Sequence, residues 1–289
     1  MIDKKKIGWV WPGAAFNGPF QAGVAKFFEE KGFTFNFNVA SSVGILNACI
    51  LNARGGGAEK LCQFWRTAYF WHFFNPAWKD WLKNRRYDSL CSRELLEKKI
   101  EKLVGDDYWR PKEGRVIEVS VLNLDSGRVE YISSDDAEFF SAIWAGVGFP
   151  PFAPAVYLPK RGHQYVDGGL GRNYMIQRCF ERGCERVIVV NIVESKKAAM
   201  ESKVEDSKTR LRDGKEVFLR TTRLVIKRVF ADSSGGEKID ESKVFQIYPV
   251  GSSYLSILLP SNLWFRHMIR VGYSEAKKVY DKINLWLSN

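Results

Sequence analysis

Two short stretches hold residues whose types and spacing could do covalent chemistry. Ala40-Ser41-Ser42-Val43-Gly44 sets a serine among small residues, between an apolar-alternating run, Phe33–Val39, and an apolar helical run, Ile45–Leu51, that stops at Gly55-Gly56-Gly57. A strand, a sharp turn carrying a serine, and a helix are the parts of a nucleophile elbow. The turn lifts the Ser42 hydroxyl clear of the backbone. The helix N-terminus behind it favours negative charge developing there. The same five residues could also form an ordinary structural turn, and the first glycine of the usual Gly-x-Ser-x-Gly pattern is Ala40 here. The second stretch, Tyr165-Val166-Asp167-Gly168-Gly169-Leu170, sets a carboxylate after a short strand and before two glycines. An ordinary turn uses the same residues.

A serine hydroxyl is a weak nucleophile and needs a base within hydrogen-bond reach. The chain has three histidines, His72, His163 and His267. The order Ser42, Asp167, His267 formally fits the chain order of an α/β-hydrolase triad. That fold, however, puts several strands before its elbow, and here about one βα unit precedes Ser42. His267 sits in an Arg-flanked helical segment and His72 in an aromatic block, where packing roles suffice. The remaining base is Asp167. A carboxylate is a poor base at its ordinary pKa near 4, and serves only if burial raises that pKa and points it at the hydroxyl proton.

These residues need a scaffold, and the hydrophobic pattern predicts one. Ile7–Trp11 reads as a first strand. It enters a small-residue loop, Pro12–Gly18, followed by a helix through Gly23–Lys31 that stops at Gly32. Phe33–Val39 reads as the second strand. Two strand–loop–helix units in the first 55 residues predict an α/β fold, a central mainly parallel sheet flanked by helices in one domain over residues 1–289. Ser92 is placed to cap a helix over Arg93–Val104. Arg115–Leu122 and Arg128–Ser133 read as a hairpin, and Asp135–Gly146 as a short helix. Val187–Val193 reads as a strand covered on both faces, Val244–Val250 as a last strand, and residues 261–287 as a long amphipathic helix. Residues 58–110 form an aromatic-rich helical region, either core packing or a lid that meets a membrane. Residues 195–243 read as a basic polar insertion, with an amphipathic surface helix over Val217–Phe230.

Composition narrows the partners. Lys and Arg number 44 against 33 Asp and Glu, a formal charge of +11. That favours anionic lipid surfaces, phosphorylated substrates or nucleic acid, and charge alone does not choose. No recognised nucleic-acid motif accompanies the basic residues, so no nucleic-acid partner is expected. The five cysteines, Cys49, Cys62, Cys91, Cys179 and Cys184, match no familiar zinc spacing and read as reduced core thiols of a cytoplasmic protein. The N-terminal apolar run is short and broken by Pro12, so it reads as a strand and not a leader. No stretch approaches the length that spans a bilayer. Nothing in the sequence specifies an oligomeric state.

Taken together, Ala40–Ala48 around Ser42 and Tyr165–Asn173 around Asp167, with Val187–Val193 as the next strand, resemble the patatin-like phospholipase family. Arg86–Leu90, Gly148–Phe152 and Gly272-Tyr273 are similar to family segments less specifically. The resemblance implies a Ser–Asp dyad hydrolase acting on acyl esters of phospholipids or lysophospholipids, with Ser42 as nucleophile, Asp167 as general base and no metal or cofactor. It further implies an oxyanion loop at Gly13, Ala14, Ala15, Phe16, Asn17 and Gly18. The family's loop is richer in glycine and carries a basic residue where this chain has Asn17. Alanine resists the positive φ that glycine permits. Two further readings therefore stay open: a catalytically weak lipid- or membrane-binding module, and an acyltransferase using the same acyl-serine. The hydrolase and the binding module both expect peripheral contact with anionic membranes.

Overall fold

A computed structural model describes residues 6–13, 15–77, 89–171, 175–192, 239–250 and 261–289. The expected basic insertion helix over Val217–Phe230 lies outside the described residues.

The core element is an eight-stranded sheet. Its strands are β1 (Ile7–Trp11), β2 (Phe37–Ala40), β5 (Val116–Asn123), β6 (Val129–Ser133), β7 (Val156–Leu158), β8 (His163–Asp167), β9 (Arg186–Val190) and β10 (Val244–Ile247). A separate two-stranded ribbon joins β3 (Asn75–Pro76) to β4 (Cys91–Ser92). In the main sheet the order is β10-β9-β1-β2-β5-β8-β7, with β6 also paired to β5. The strands from β10 to β5 are parallel, and β6, β8 and β7 join antiparallel. The parallel block needs crossover helices, and those helices cover it.

The helices are α1 (Gly18–Glu30), α2 (Val43–Asn52), α3 (Ala58–Arg66), α4 (Phe70–Phe73), α5 (Glu94–Val104), α6 (Phe139–Gly146), α7 (Ile176–Glu181) and α8 (Asn262–Ser288). Side-chain alternation along the buried strands sorts the core into two layers. Trp9, Trp11, Ile188 and Val190 point into the large cluster beneath α1, α2, α3 and α8. Val10, Val39, Val187 and Val189 point the other way, onto Met175, Ile176 and Cys179 at α7. Glycines bring α1 and α8 into close contact. A Cβ on Gly23 would lie 2.0 Å from the Ile269 carbonyl oxygen, and one on Gly272 would lie 2.1 Å from that of Phe20.

Several sequence expectations shift. The second strand starts at Phe37, not Phe33, because Phe33 closes the preceding helix. Gly32 adopts φ +79, the Phe33 N–H donates to the Phe28 carbonyl at 2.9 Å, and the two rings meet at 4.9 Å. That is a Schellman ending with its hydrophobic contact. The first helix begins at Gly18, five residues before Gly23, with Pro19 fitted to its first turn. Ser92 sits one residue ahead of the N-cap Arg93, although its hydroxyl still accepts the Glu94 N–H at 3.4 Å. All five cysteines are free thiols. Among the described residues no helix is long and apolar enough to cross a membrane.

Candidate active site

Ser42 stands between the end of β2 and the start of α2. Its backbone takes φ 51 and ψ −132, a conformation that L-residues rarely adopt. The flanking hydrogen bonds hold it there. The Ser41 N–H donates to Trp11 O at 3.1 Å, the Gly44 N–H to Ser41 O at 2.9 Å, and the Ile45 N–H to Ser42 O at 2.9 Å. Gly44 is required because a Cβ there would sit 2.0 Å from the Trp11 carbonyl oxygen. Gly13 presses on the serine from the neighbouring strand end, where a Cβ would lie 2.1 Å from Ser42 Cβ.

Sheet register brings Asp167 to the same level. Along one edge of β5, Val119 pairs with Ala40 and Val121 pairs with Asp167, while β6 takes the opposite edge. The strand end that leads to Ser42 and the strand end that carries Asp167 therefore meet along that one edge. The Asp167 N–H donates to Gly148 O at 3.1 Å, and its Oδ1 accepts the Gly169 N–H at 2.8 Å. The Ser42 hydroxyl hydrogen-bonds its carboxylate. Asp167 is 2% exposed. Burial lifts its pKa to about 6, opposed by the hydrogen bonds from Ser42 and Gly169. Gly168 lets the chain pass against β5, since a Cβ there would lie 2.5 Å from the Ser120 backbone.

The loop after β1 is the third part. Ala14 lies outside the described residues. Ala15 is exposed and takes φ 43. Ala15 and Ser42 are the two non-glycine residues with positive φ among those described, and both lie here. Such strain persists only where the surroundings impose it, and it clusters at functional sites. Phe16 is buried against Phe73, Phe74 and Phe265. Asn17 is also buried and donates to the Ile192 carbonyl at 2.9 Å, so its side chain braces the end of β9. Gly18 begins α1 and packs on Trp65.

Sequence reasoning missed a set of buried amides beneath this loop. Gln21 Nε2 donates to Pro12 O and Val190 O, each at 3.0 Å. Asn47 Nδ2 donates to Gly18 O at 3.0 Å and to Gln21 Oε1 at 2.7 Å, while Trp65 Nε1 donates to Asn47 Oδ1 at 2.8 Å. The network pins both ends of the loop, and buried polar groups so paired specify geometry. The available signal was a lone amide in each of two otherwise apolar helical runs.

The histidines are engaged elsewhere. His163 Nδ1 lies 2.7 Å from Asp125 Oδ2 at the surface. His267 is exposed on α8 beside Trp264. His72 Nδ1 accepts the Tyr69 N–H at 3.0 Å, and burial followed by the Lys99 charge lowers its pKa. None of these contacts involves Ser42.

With this geometry in place, comparisons with known proteins give one family. A family model described as patatin-like phospholipase matches residues 11–179, a span that runs from the end of β1 through Ser42 and Asp167 into α7. No curated protein matches. Among solved structures, VipD from Legionella pneumophila aligns with a TM-score of 0.44 at 14% identity, covering 96% of this chain and 67% of that one.

Proposed function

The chain belongs to the patatin-like phospholipase family, and from that premise we propose that it is a lipid acyl hydrolase working through a Ser42–Asp167 dyad. The observation that carries this reading is the hydrogen bond from the Ser42 hydroxyl to a buried carboxylate whose pKa is lifted to about 6. A base poised near the working pH combines an ionised form with useful proton affinity. Asp167 takes the Ser42 proton as the oxygen attacks the ester carbonyl of a phospholipid or lysophospholipid. The tetrahedral oxyanion forms against backbone N–H groups of the Gly13–Phe16 loop and of Val43, the residue after the nucleophile. The alcohol leaves with a proton from Asp167, and water, deprotonated by the same carboxylate, releases the acyl chain.

The alanines of the loop do not by themselves argue for an inactive relative. Ala15 already adopts the positive φ that glycine would take, and the buried amides hold the loop ends. The test is release of fatty acid from phospholipid and lysophospholipid vesicles by wild type and Ser42→Ala. Release that requires Ser42 supports the hydrolase. Equal release by both proteins, or none by either, contradicts it. Transfer to added alcohol outpacing hydrolysis would move the assignment to an acyltransferase.

A further inference from the structure

The aromatic run after α3 divides in two. Phe64 and Trp65 are core, whereas Tyr69, Phe70 and Trp71 stand in solvent, Trp71 at 65% exposure. These exposed rings continue into other segments. Phe70 stacks on Phe74 at 4.6 Å, and Phe74 meets Phe152 edge-on at 5.6 Å. Phe152 and Phe149, both exposed, belong to the loop whose Gly148 carbonyl accepts the Asp167 N–H. On the other side, a cavity of about 340 Å³ is lined by Ala68, Tyr69, Phe70, Trp71 and Asn262. The next residue, Leu263, is 81% exposed. Phe16 packs on Phe73 and Phe74, which ties the patch to the loop beside Ser42. The result is an apolar rim on the side of the molecule where Ser42 and Asp167 lie. Soluble monomers rarely expose a continuous apolar surface of this kind without a partner.

Charge identifies the partner. The three segments that build the rim carry no Asp or Glu over residues 60–77, 139–166 and 261–274, in a chain with 33 acidic residues. They do carry Lys and Arg. Arg266 and Arg270 are exposed on α8 just beyond Leu263, and Lys99 is held at Thr67 beside the exposed rings. Exposed Trp, Tyr and Phe with basic neighbours, and no acid in their own segments, form a surface matched to an anionic lipid interface.

We propose that Tyr69, Phe70, Trp71, Phe149, Phe152 and Leu263 form the face that docks this protein on anionic bilayers. Docking sets the Ser42 side of the molecule against the lipid headgroups. The purpose of this face rests on the lipid-hydrolase reading, but its existence does not.

The experiment uses the full chain and vesicles of phosphatidylcholine with or without phosphatidylserine. Wild type is compared with Trp71→Ser/Leu263→Ser and with Leu285→Ser, an exposed leucine near the far end of α8. Co-sedimentation is expected with the phosphatidylserine vesicles, weakened at high salt. The double variant should lose at least tenfold in vesicle affinity, and Leu285→Ser should keep it. Fluorophosphonate labelling of the double variant should match wild type, which shows that it is folded. Absence of wild-type binding, or equal binding by the double variant, overturns the proposal. A wild-type dimer that the double variant disperses also overturns it, because the face would then be a self-interface. Vesicle binding by a protein that never labels leaves the docking face standing and defeats the hydrolase reading.

Discussion

Two buried carboxylates sit on neighbouring strands of this sheet, and their surroundings differ in one respect. Glu118 on β5 is 1% exposed and is gripped by the Arg178 guanidinium, Nε at 2.6 Å and Nη2 at 3.1 Å, and by Arg182 Nε at 3.0 Å. Asp167 on β8 is 2% exposed, and among the described residues its partners are a hydroxyl and one backbone N–H. A buried charge needs a counter-charge or it holds its proton. Glu118 has two cations and fastens α7 to the sheet. Asp167 lacks them, its pKa rises to about 6, and it is left able to exchange a proton with Ser42. Burial of an acid is therefore no sign of chemistry; burial without neutralisation, beside a hydroxyl, is the arrangement that a general base needs.

The largest effects break this comparison outright. Ser42→Ala should abolish fluorophosphonate labelling, and Asp167→Asn should slow it by roughly 10²–10⁴, the range of a general base. The same Asp167→Asn should make the protein more stable at neutral pH. A carboxyl whose folded pKa is raised stabilises the fold below its ordinary pKa near 4, and that contribution is lost as pH climbs through about 6. Removing the charge recovers up to about 3 kcal/mol, seen as a higher melting temperature. Glu118→Gln should do the reverse. It should destabilise by about 1–2 kcal/mol, because Arg182 loses its carboxylate and Arg178 is left with Glu181 alone, both partly screened by solvent, while the folded fraction labels at the wild-type rate. If both variants shifted stability in the same direction, the contrast would fail.

Gly13→Ala comes next. Its methyl would meet Ser42 Cβ at 2.1 Å, so the strand end or the serine must move. Labelling should fall about a hundredfold, as when an oxyanion donor is lost, with circular dichroism unchanged. A milder effect is the pH profile. The labelling rate should rise about tenfold per unit below pH 6 and level off above it, as Asp167 deprotonates. A flat profile between pH 5 and 8 would remove Asp167 from the base role. The smallest effect is Ala15→Gly. Relief of φ 43 offsets the added chain entropy, so stability should change by about 1 kcal/mol or less, with labelling at least as fast. A marked loss of labelling would mean that the alanine methyl itself contributes to the site.

The fold class was legible because strand and helix periods alternate cleanly over the first 55 residues and small residues mark the turns. The pairing of Ser42 with Asp167 was legible as a resemblance between two blocks 125 positions apart in number. Its physical cause, two strand ends meeting along one edge of β5, depends on an antiparallel β8 that no local pattern specifies. The Phe33 misreading has a local cause, since a phenylalanine at the head of an alternating run also suits a helix-closing contact. The amides of Gln21 and Asn47 were hidden because their partners are mostly backbone carbonyls far away in sequence. The aromatic run could not be divided from sequence alone, because Trp65 and Trp71 differ only in which face of the folded chain they meet.

The most direct test of the central claim is peptide mapping of the wild-type protein after fluorophosphonate treatment across pH 5–8, beside Asp167→Asn. The dyad predicts a single adduct on Ser42, forming with a midpoint near pH 6 that disappears in the variant. An adduct on another residue, or folded protein that gains none at any pH, would contradict it.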